Sequence, residues 1–246
     1  MIKPFSDIRL AVQNALKRHE VINPIEDSCY TIEERKNVKE GKLKRITIEG
    51  IPYSANSSIT NIWALDFELD EKNILFFTPS CHKMERALII ICPKAIYVLL
   101  IEMKSSLWGK GDDGIGVNGI EAKIKESLSK LSILATHFIF NESHDYAKKI
   151  NLHAIIAFND ELISKQASED PQIKSYNLYK SFVNSKSGNV NMINIRDYID
   201  QPFNIRMHYV QNDTKNPEEF SFNLEHLIED YAFHEAVSYD FVCPQQ

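Results

Sequence analysis

The tripeptide Glu102-Met103-Lys104 is the part of the sequence whose residue types and spacing best suit catalysis. It follows an unbroken apolar run over residues 95–101, which predicts a strand buried on both faces. Because residues two apart on a strand project from the same face, Glu102 and Lys104 place a carboxylate and an ammonium together at the strand end. Two charges are costly at the end of a buried strand, so the pattern indicates either an ion pair or a reactive site.

The segment before this strand supplies a second carboxylate. Apolar runs on both sides of Pro93-Lys94 predict a β-hairpin, and if those two residues form its turn, Glu85 faces Glu102. Facing side chains of antiparallel strands have Cβ atoms about 5 Å apart, so two carboxylates there repel unless a cation lies between them. Carboxylate oxygens suit Mg²⁺ or Mn²⁺. A register shift of one residue would replace Glu85 by Met84 or Arg86.

The elements that must position these groups predict an α/β fold, with a mixed central β-sheet and flanking helices. A helical pattern over Ile120–Phe140 lies between the hairpin and a predicted strand at Asn151–Phe158. A strand, a helix and a strand in this order usually make the two strands parallel. The other predicted elements are a helix at Asp7–Glu20, strands at Leu65–Asp70, Ile74–Phe77 and Phe203–Val210, and a helix at Phe222–Val237.

The sequence resembles the core of the PD-(D/E)XK nuclease superfamily. It has an apolar hairpin with an acidic residue on its first strand and E-x-K at the end of the second, followed by a long helix and another strand. The resemblance covers Trp63 to Phe158 and implies a restriction-endonuclease-like fold. It implies that Glu85, Glu102 and the backbone carbonyl of Met103 hold Mg²⁺ or Mn²⁺, and that the catalytic residues are Glu85, Glu102 and Lys104. Lys104 would orient or deprotonate the attacking water and stabilise charge on phosphorus.

The sequence departs from the family pattern at the first acidic residue. That residue is usually Asp, often after Pro, whereas Glu85 lies within HKMER. Asp66 and Asp70 on the preceding strand are therefore alternative metal ligands. Members of this superfamily often carry a further acidic residue on the helix before the sheet, which makes Glu20 another candidate.

A local basic segment is the strongest signal for a nucleic-acid partner. The net charge of −6 and a pI near 5.8 argue against binding by bulk charge, but residues 35–45 hold six basic side chains and one acidic side chain. The segment is either a solvated surface or a set of phosphate contacts. A glycine-rich stretch follows Lys104 and adds an aromatic side chain that could stack on a base. The predicted nucleic-acid-binding residues are Arg35, Lys36, Lys39, Lys42, Lys44, Arg45, Trp108 and Lys110.

Other patterns in the sequence give weaker support for a functional site. Gly109 to Gly114 matches GxGxxG, but it follows a hairpin strand and contains Asp112 and Asp113, which would repel a pyrophosphate. Charged residues on the long helix, Lys123 among them, could reach a substrate or a metal ion, but in this pattern they are typical of a solvent-exposed helix face. Two histidines near the C-terminus, His226 and His234, lack the spacing of a metal site on a helix.

Length and composition indicate one domain over residues 1–246, with a nuclease-like core at 63–158. Residues 1–62 supply the N-terminal helix and basic segment, and 159–246 form an extension of unassigned role. The sequence predicts a cytoplasmic protein. Its four cysteines are scattered, it shows no signal peptide, and no apolar run approaches the about 20 residues of a membrane span.

The resemblance therefore implies a metal-dependent nuclease that cleaves phosphodiester bonds, in DNA rather than RNA, with a role in restriction, repair or defence. A homodimer or a partner subunit is compatible with this prediction, and a membrane partner is not. The alternative is a non-catalytic nucleic-acid-binding or protein-interaction module on a degenerate nuclease fold.

Overall fold

The computed structural model describes residues 5–18, 20–34, 42–53, 61–68, 83–105, 117–135, 139, 148–175, 179–180, 183–184, 191–196, 202–211, 216, 218–230 and 232–234. The chain is mixed α/β, with a mixed sheet and flanking helices. Its helices are α1 (Phe5–Arg18), α2 (Val117–Leu134), α3 (Asp160–Glu169) and α4 (Leu224–Leu227), with a 3-10 helix at Pro171–Ser175. Its strands are β1 (Ile22–Pro24), β2 (Tyr30–Glu33), β3 (Arg45–Glu49), β4 (Asn61–Asp66), β5 (Arg86–Ile91), β6 (Ala95–Lys104), β7 (Lys149–Phe158), β8 (Asn191–Arg196), β9 (Pro202–Gln211) and β10 (Glu219–Asn223).

The β5–β6 hairpin lies at the centre of a seven-stranded sheet of order β1-β4-β5-β6-β7-β9-β8. All six residues of β5 are buried, and so are all of β6 except Lys104, as expected for apolar runs covered on both faces. The register pairs Arg86 with Ile101 and Ile91 with Ile96. The predicted hairpin and its register are therefore confirmed, with Pro93 and Lys94 between the two strands.

The predicted crossover is also confirmed. β6 continues through α2 into β7, which pairs parallel to β6, with Leu100 opposite Ala154. β9 pairs parallel to β7, and β8 pairs antiparallel to β9, so the large sheet is mixed. The predicted strand at Phe203–Val210 is β9. The observed α2 begins three residues before the predicted helix and ends at Leu134.

The large sheet buries a different cluster on each face. On the first face, here called the helix face, β6 residues such as Val98 and Leu100 share a core cluster with Leu16 of α1 and Ile124 of α2. On the second face, here called the strand face, the intervening β6 residues pack in a cluster that includes Ile46 of the three-stranded sheet β10-β3-β2. Alternation along β6 therefore decides which layer each side chain meets.

The predicted helix at Phe222–Val237 is not continuous. Its first two residues belong to β10, which pairs parallel to β3, and the described residues after them are helical over Leu224–Leu227 and again at 232–234, with a break at 228–230. Phe220 and Phe222 are buried, whereas Glu219 and Ser221 are exposed. Buried and exposed residues alternate here, as in a strand with one buried face. This alternation explains why the segment is a strand, although the residues after it have helical spacing.

Two further predictions are displaced along the chain. α1 begins and ends two residues before the predicted helix, and β4 lies at Asn61–Asp66 and not at Leu65–Asp70. The predicted strand at Ile74–Phe77 lies outside the described residues. In the described part of the chain, no helix combines the length and the apolar character needed to cross a membrane.

Candidate active site

Glu85 and Glu102 lie on facing positions of the β5–β6 hairpin, on the helix face of the sheet. Glu85 immediately precedes β5, and its backbone N–H donates to the carbonyl of Ile101 at 3.0 Å, which continues the hairpin register. The N–H of Met103 donates to Oε2 of Glu85 at 3.1 Å. Both carboxylates are buried. The fold therefore brings together the acidic pair that the sequence predicts, and a backbone donor on β6 holds Glu85 in place.

Glu102 is the most constrained group of the site. Its side chain is 1% exposed, and its Oε1 contacts the ammonium of Lys104 at 2.5 Å and that of Lys123. Its Oε2 is buried and has no hydrogen-bond partner in the described part of the chain. A buried carboxylate oxygen without a donor is costly, so this atom is suited to a cation supplied from outside the chain.

Helix α2 contacts Glu102 and the residue that precedes Glu85. Lys123 contacts Glu102, and one turn further on Oγ of Ser127 accepts a hydrogen bond from the N–H of Met84 at 2.9 Å. The interpretation of Lys123 as part of a solvent-exposed face is wrong, since its side chain is 16% exposed. At about 100° per residue, Lys123 lies beside the buried stripe through Ile124 and Ser127. The position of Lys123 next to this stripe was the sequence signal that its side chain is partly buried.

Burial and neighbouring charges set the protonation of this cluster. Burial, together with the nearby carboxylates of Glu102, Glu68 and Glu34, raises the pKa of Glu85 well above its ordinary value, although Lys104 acts in the opposite sense. Burial disfavours the charged form of Lys104, but Glu102 and Glu85 outweigh it and raise the pKa of Lys104. Without a metal ion, the site therefore favours an ammonium at Lys104 and a proton on Glu85.

The alternative first ligands do not converge on Glu102. Asp66 lies on the strand face, where its Oδ1 is 2.8 Å from Nη1 of Arg86, and both side chains are buried. Glu68 contacts the same guanidinium at 3.1 Å. Asp66 thus balances a buried arginine on the opposite side of the sheet. Glu20 is exposed between α1 and β1, with a left-handed φ of 58°. Asp70 lies outside the described residues.

The basic segment begins and ends beside the candidate site. The N–H of Leu43 donates to Oγ of Ser105, directly after Lys104, at 2.9 Å. The N–H of Glu34 donates to the carbonyl of Lys44 at 2.8 Å, so the two ends of the segment are paired. The described residues that flank the segment, Glu34 and Leu43, therefore lie next to the end of β6.

Two predicted nucleic-acid contacts are already paired with carboxylates. Lys44 lies 2.7 Å from Glu218, and Arg45 lies 2.8 Å from Glu33 and 3.4 Å from Glu219. Their charges are therefore matched within the protein, which weakens their assignment to phosphate binding. Lys42 is half-buried. Arg35, Lys36, Lys39, Trp108 and Lys110 lie outside the described residues.

A second buried polar cluster lies on the strand face. Nδ1 of His153 is 2.8 Å from Nε2 of His208, and the two rings stack with centroids 5.1 Å apart. Burial lowers the pKa of His153 to about 3 and that of His208 to about 4, with a further contribution from Arg206 to each. The pair is therefore neutral at pH 7, with one ring donating to the other. Sequence reasoning missed it because the two histidines are far apart in the chain.

Similarity gives no guide to the chemistry of this chain. It matches no protein-family model, no curated protein and no solved structure. Across the described residues, no three His, Cys, Asp or Glu side chains form a metal-binding group. The chemistry must therefore be argued from the Glu85, Glu102, Lys104 and Lys123 cluster itself.

Proposed function

We propose that the chain is a metal-dependent nuclease that hydrolyses phosphodiester bonds, with DNA as its preferred substrate, on a restriction-endonuclease-like core of the PD-(D/E)XK superfamily. The observation that carries this proposal is the facing pair Glu85 and Glu102 with Lys104 on the same face of one hairpin. The unpartnered Oε2 of Glu102 supports a role in cation binding. An ion pair that only capped the sheet would not need a second buried carboxylate opposite the first.

The donor set fits Mg²⁺ or Mn²⁺. The proposed ligands are the carboxylates of Glu85 and Glu102 and the backbone carbonyl of Met103, all hard oxygen donors. Mg²⁺ commonly binds through one or two carboxylates and keeps several waters, so a site with two acidic side chains is sufficient. When bound, the ion neutralises the phosphodiester and supplies a hydroxide nucleophile near neutral pH.

The chain's own residues orient the reacting groups. The Met103 N–H fixes the carboxylate of Glu85, and Glu102 holds the Lys104 ammonium at 2.5 Å. The raised pKa of Lys104 keeps it charged, so its role is to donate to the attacking water or to a phosphate oxygen. Because that ammonium stays in place before substrate arrives, little reorganisation is needed during the reaction.

The placement of the basic segment supports a nucleic-acid substrate. Residues 35–42 carry four basic side chains despite the net charge of −6, and of the described residues that flank this stretch Leu43 donates to Ser105 and Glu34 pairs with Lys44. Phosphate contacts of this kind bind without reading sequence. Restriction, repair or defence against foreign DNA is the proposed setting, in the cytoplasm, with a homodimer or a partner subunit as a further proposal.

One observation favours a second candidate, a non-catalytic module on a degenerate nuclease fold. Lys104 and Lys123 both contact Oε1 of Glu102, so the carboxylate already has two internal counter-ions. In that case the cluster would only stabilise the packing of α2 on the sheet, and binding of nucleic acid or protein would require no metal.

A substrate and metal panel separates these functions. Plasmid, linear duplex, single-stranded DNA and RNA are each incubated with the protein in Mg²⁺, Mn²⁺ or EDTA. The proposal predicts cleavage of DNA in Mg²⁺ or Mn²⁺ and none in EDTA. Binding of nucleic acid without cleavage under any metal condition would favour the non-catalytic module.

A further inference from the structure

Lys123 is the charged group of the site that the proposed mechanism does not use. It reaches Glu102 from α2, whereas Lys104 reaches the same oxygen from the strand itself. The contact between Ser127 and Met84 fixes α2 against the segment that leads into Glu85. The ammonium of Lys123 is therefore held at the carboxylate by a helix that packs on the sheet, and it is not a loose surface charge.

We infer that Lys123 is a resident counter-ion of Glu102 that weakens divalent metal binding to the nucleic-acid-free protein. The inference rests on the proposed function, because it assigns a regulatory role to the same metal site. The contact places a positive charge at one oxygen of Glu102, while the other oxygen has no hydrogen-bond partner among the residues that the structure describes. A divalent ion at that second oxygen meets two ammoniums on the same carboxylate.

The charges of the four side chains explain the direction of the effect. Once a bound metal ion has displaced the proton from Glu85, the carboxylates of Glu85 and Glu102 are balanced by the ammoniums of Lys104 and Lys123, so the cluster offers the ion no net negative charge. Affinity for hard divalent cations rises with the number of charged oxygen ligands. Replacing Lys123 by a neutral residue leaves one net negative charge, and it removes a charge-assisted hydrogen bond that competes for Glu102.

Titration of the metal-free protein with Mn²⁺ by calorimetry, without nucleic acid, tests the inference. Lys123→Met keeps the apolar stem and removes the charge, and Lys123→Gln is a second, polar substitution. Both are expected to tighten Mn²⁺ binding by at least about tenfold, since hydrogen bonds to charged groups commonly contribute that much to an equilibrium constant. Lys123→Arg keeps the charge and should stay within about threefold of the wild type, well below one tenfold step.

Lys125→Met is the matched control. Lys125 lies on the same helix but about 200° further around it than Lys123, so its loss should leave the Mn²⁺ affinity unchanged. Equal or weaker Mn²⁺ binding by folded Lys123→Met and Lys123→Gln would overturn the inference while leaving the proposed metal site intact. If neither the wild type nor Lys123→Met binds Mn²⁺, or if Glu102→Gln binds it as well as the wild type does, the proposed site and the inference both fail.

Discussion

The buried pair His153 and His208 should make the stability of this protein depend steeply on pH between 7 and 5. The two rings are 2% and 7% exposed and hydrogen-bond to each other at 2.8 Å. Arg206, on the same strand as His208, disfavours a positive charge on either ring. Asp230 has the opposite effect on His153. The ring of Tyr97 lies 6.1 Å from that of His153. Burial is the main cause of both lowered pKa values, so neither ring accepts a proton readily in the folded state.

The magnitude follows from the difference between the folded and unfolded states. The folded pKa values of about 3 and about 4 lie below 5, whereas an unfolded histidine titrates near 6.5. The unfolded chain therefore binds more protons in this range, and stability is highest above pH 6.5 and is lost as the pH falls. Between pH 7 and 5 each unfolded imidazole gains about 2 kcal/mol from protonation, so the pair accounts for about 4 kcal/mol.

Urea unfolding at pH 7, 6 and 5 measures this loss, with the double variant His153→Phe/His208→Phe as the control. Phenylalanine keeps the stacked rings and removes both titrating groups, and replacing both partners of a buried hydrogen bond by apolar groups can be nearly neutral. The wild type should lose about 4 kcal/mol more than the double variant over this range, or about 10 °C in Tm for a chain of this size. Parallel profiles for the two proteins would refute the assignment of a neutral buried pair.

Three further predictions concern the site and its supports. Glu85→Gln should raise the Tm of the protein in EDTA by a few degrees, because it removes a buried carboxylate whose pKa is raised. The same variant should lose Mg²⁺-dependent cleavage. An unchanged Tm in EDTA would contradict the conclusion that burying Glu85 destabilises the metal-free protein. Arg86→Met should cost about 3–5 kcal/mol in urea unfolding, since it leaves Asp66 charged and buried without its guanidinium partner, and a loss below about 1 kcal/mol would show that the pair is weak. Gly50→Ala should destabilise the protein by about 1–3 kcal/mol, because Gly50 has φ +69° and an added Cβ would lie 2.2 Å from Oδ1 of Asn223; thermal unfolding at the wild-type temperature would contradict this.

The centre of the fold could be predicted because its sequence signals are local and agree with one another. Two apolar runs around Pro93-Lys94 predict a hairpin, and the short connection determines which residues face each other. Since Glu85 and Glu102 follow from that register, the acidic pair was available from the sequence. The crossover through α2 was equally available, because a long helical pattern between two strands leaves few alternatives.

The remaining parts depend on contacts between distant segments. β10 pairs with β3 although the two strands come from opposite ends of the chain, and no local pattern specifies that pairing. The exclusion of Asp66 required knowledge of the buried partner Arg86 on the neighbouring strand. Lys123 was misassigned because a charged residue beside a helix's apolar stripe is ordinarily solvated, and only the position of Glu102 beneath it reveals an ionic partner.

The most direct test of the proposed nuclease activity is the rate of duplex DNA cleavage in Mg²⁺ by the wild type, folded Glu102→Gln and folded Lys125→Met. The account predicts that Glu102→Gln lowers the rate by at least about 1,000-fold, because several kcal/mol of metal-dependent transition-state stabilisation are lost. Lys125→Met should cleave at the wild-type rate. Cleavage by Glu102→Gln at the wild-type rate would contradict the account, since the catalytic centre would then lie elsewhere in the chain.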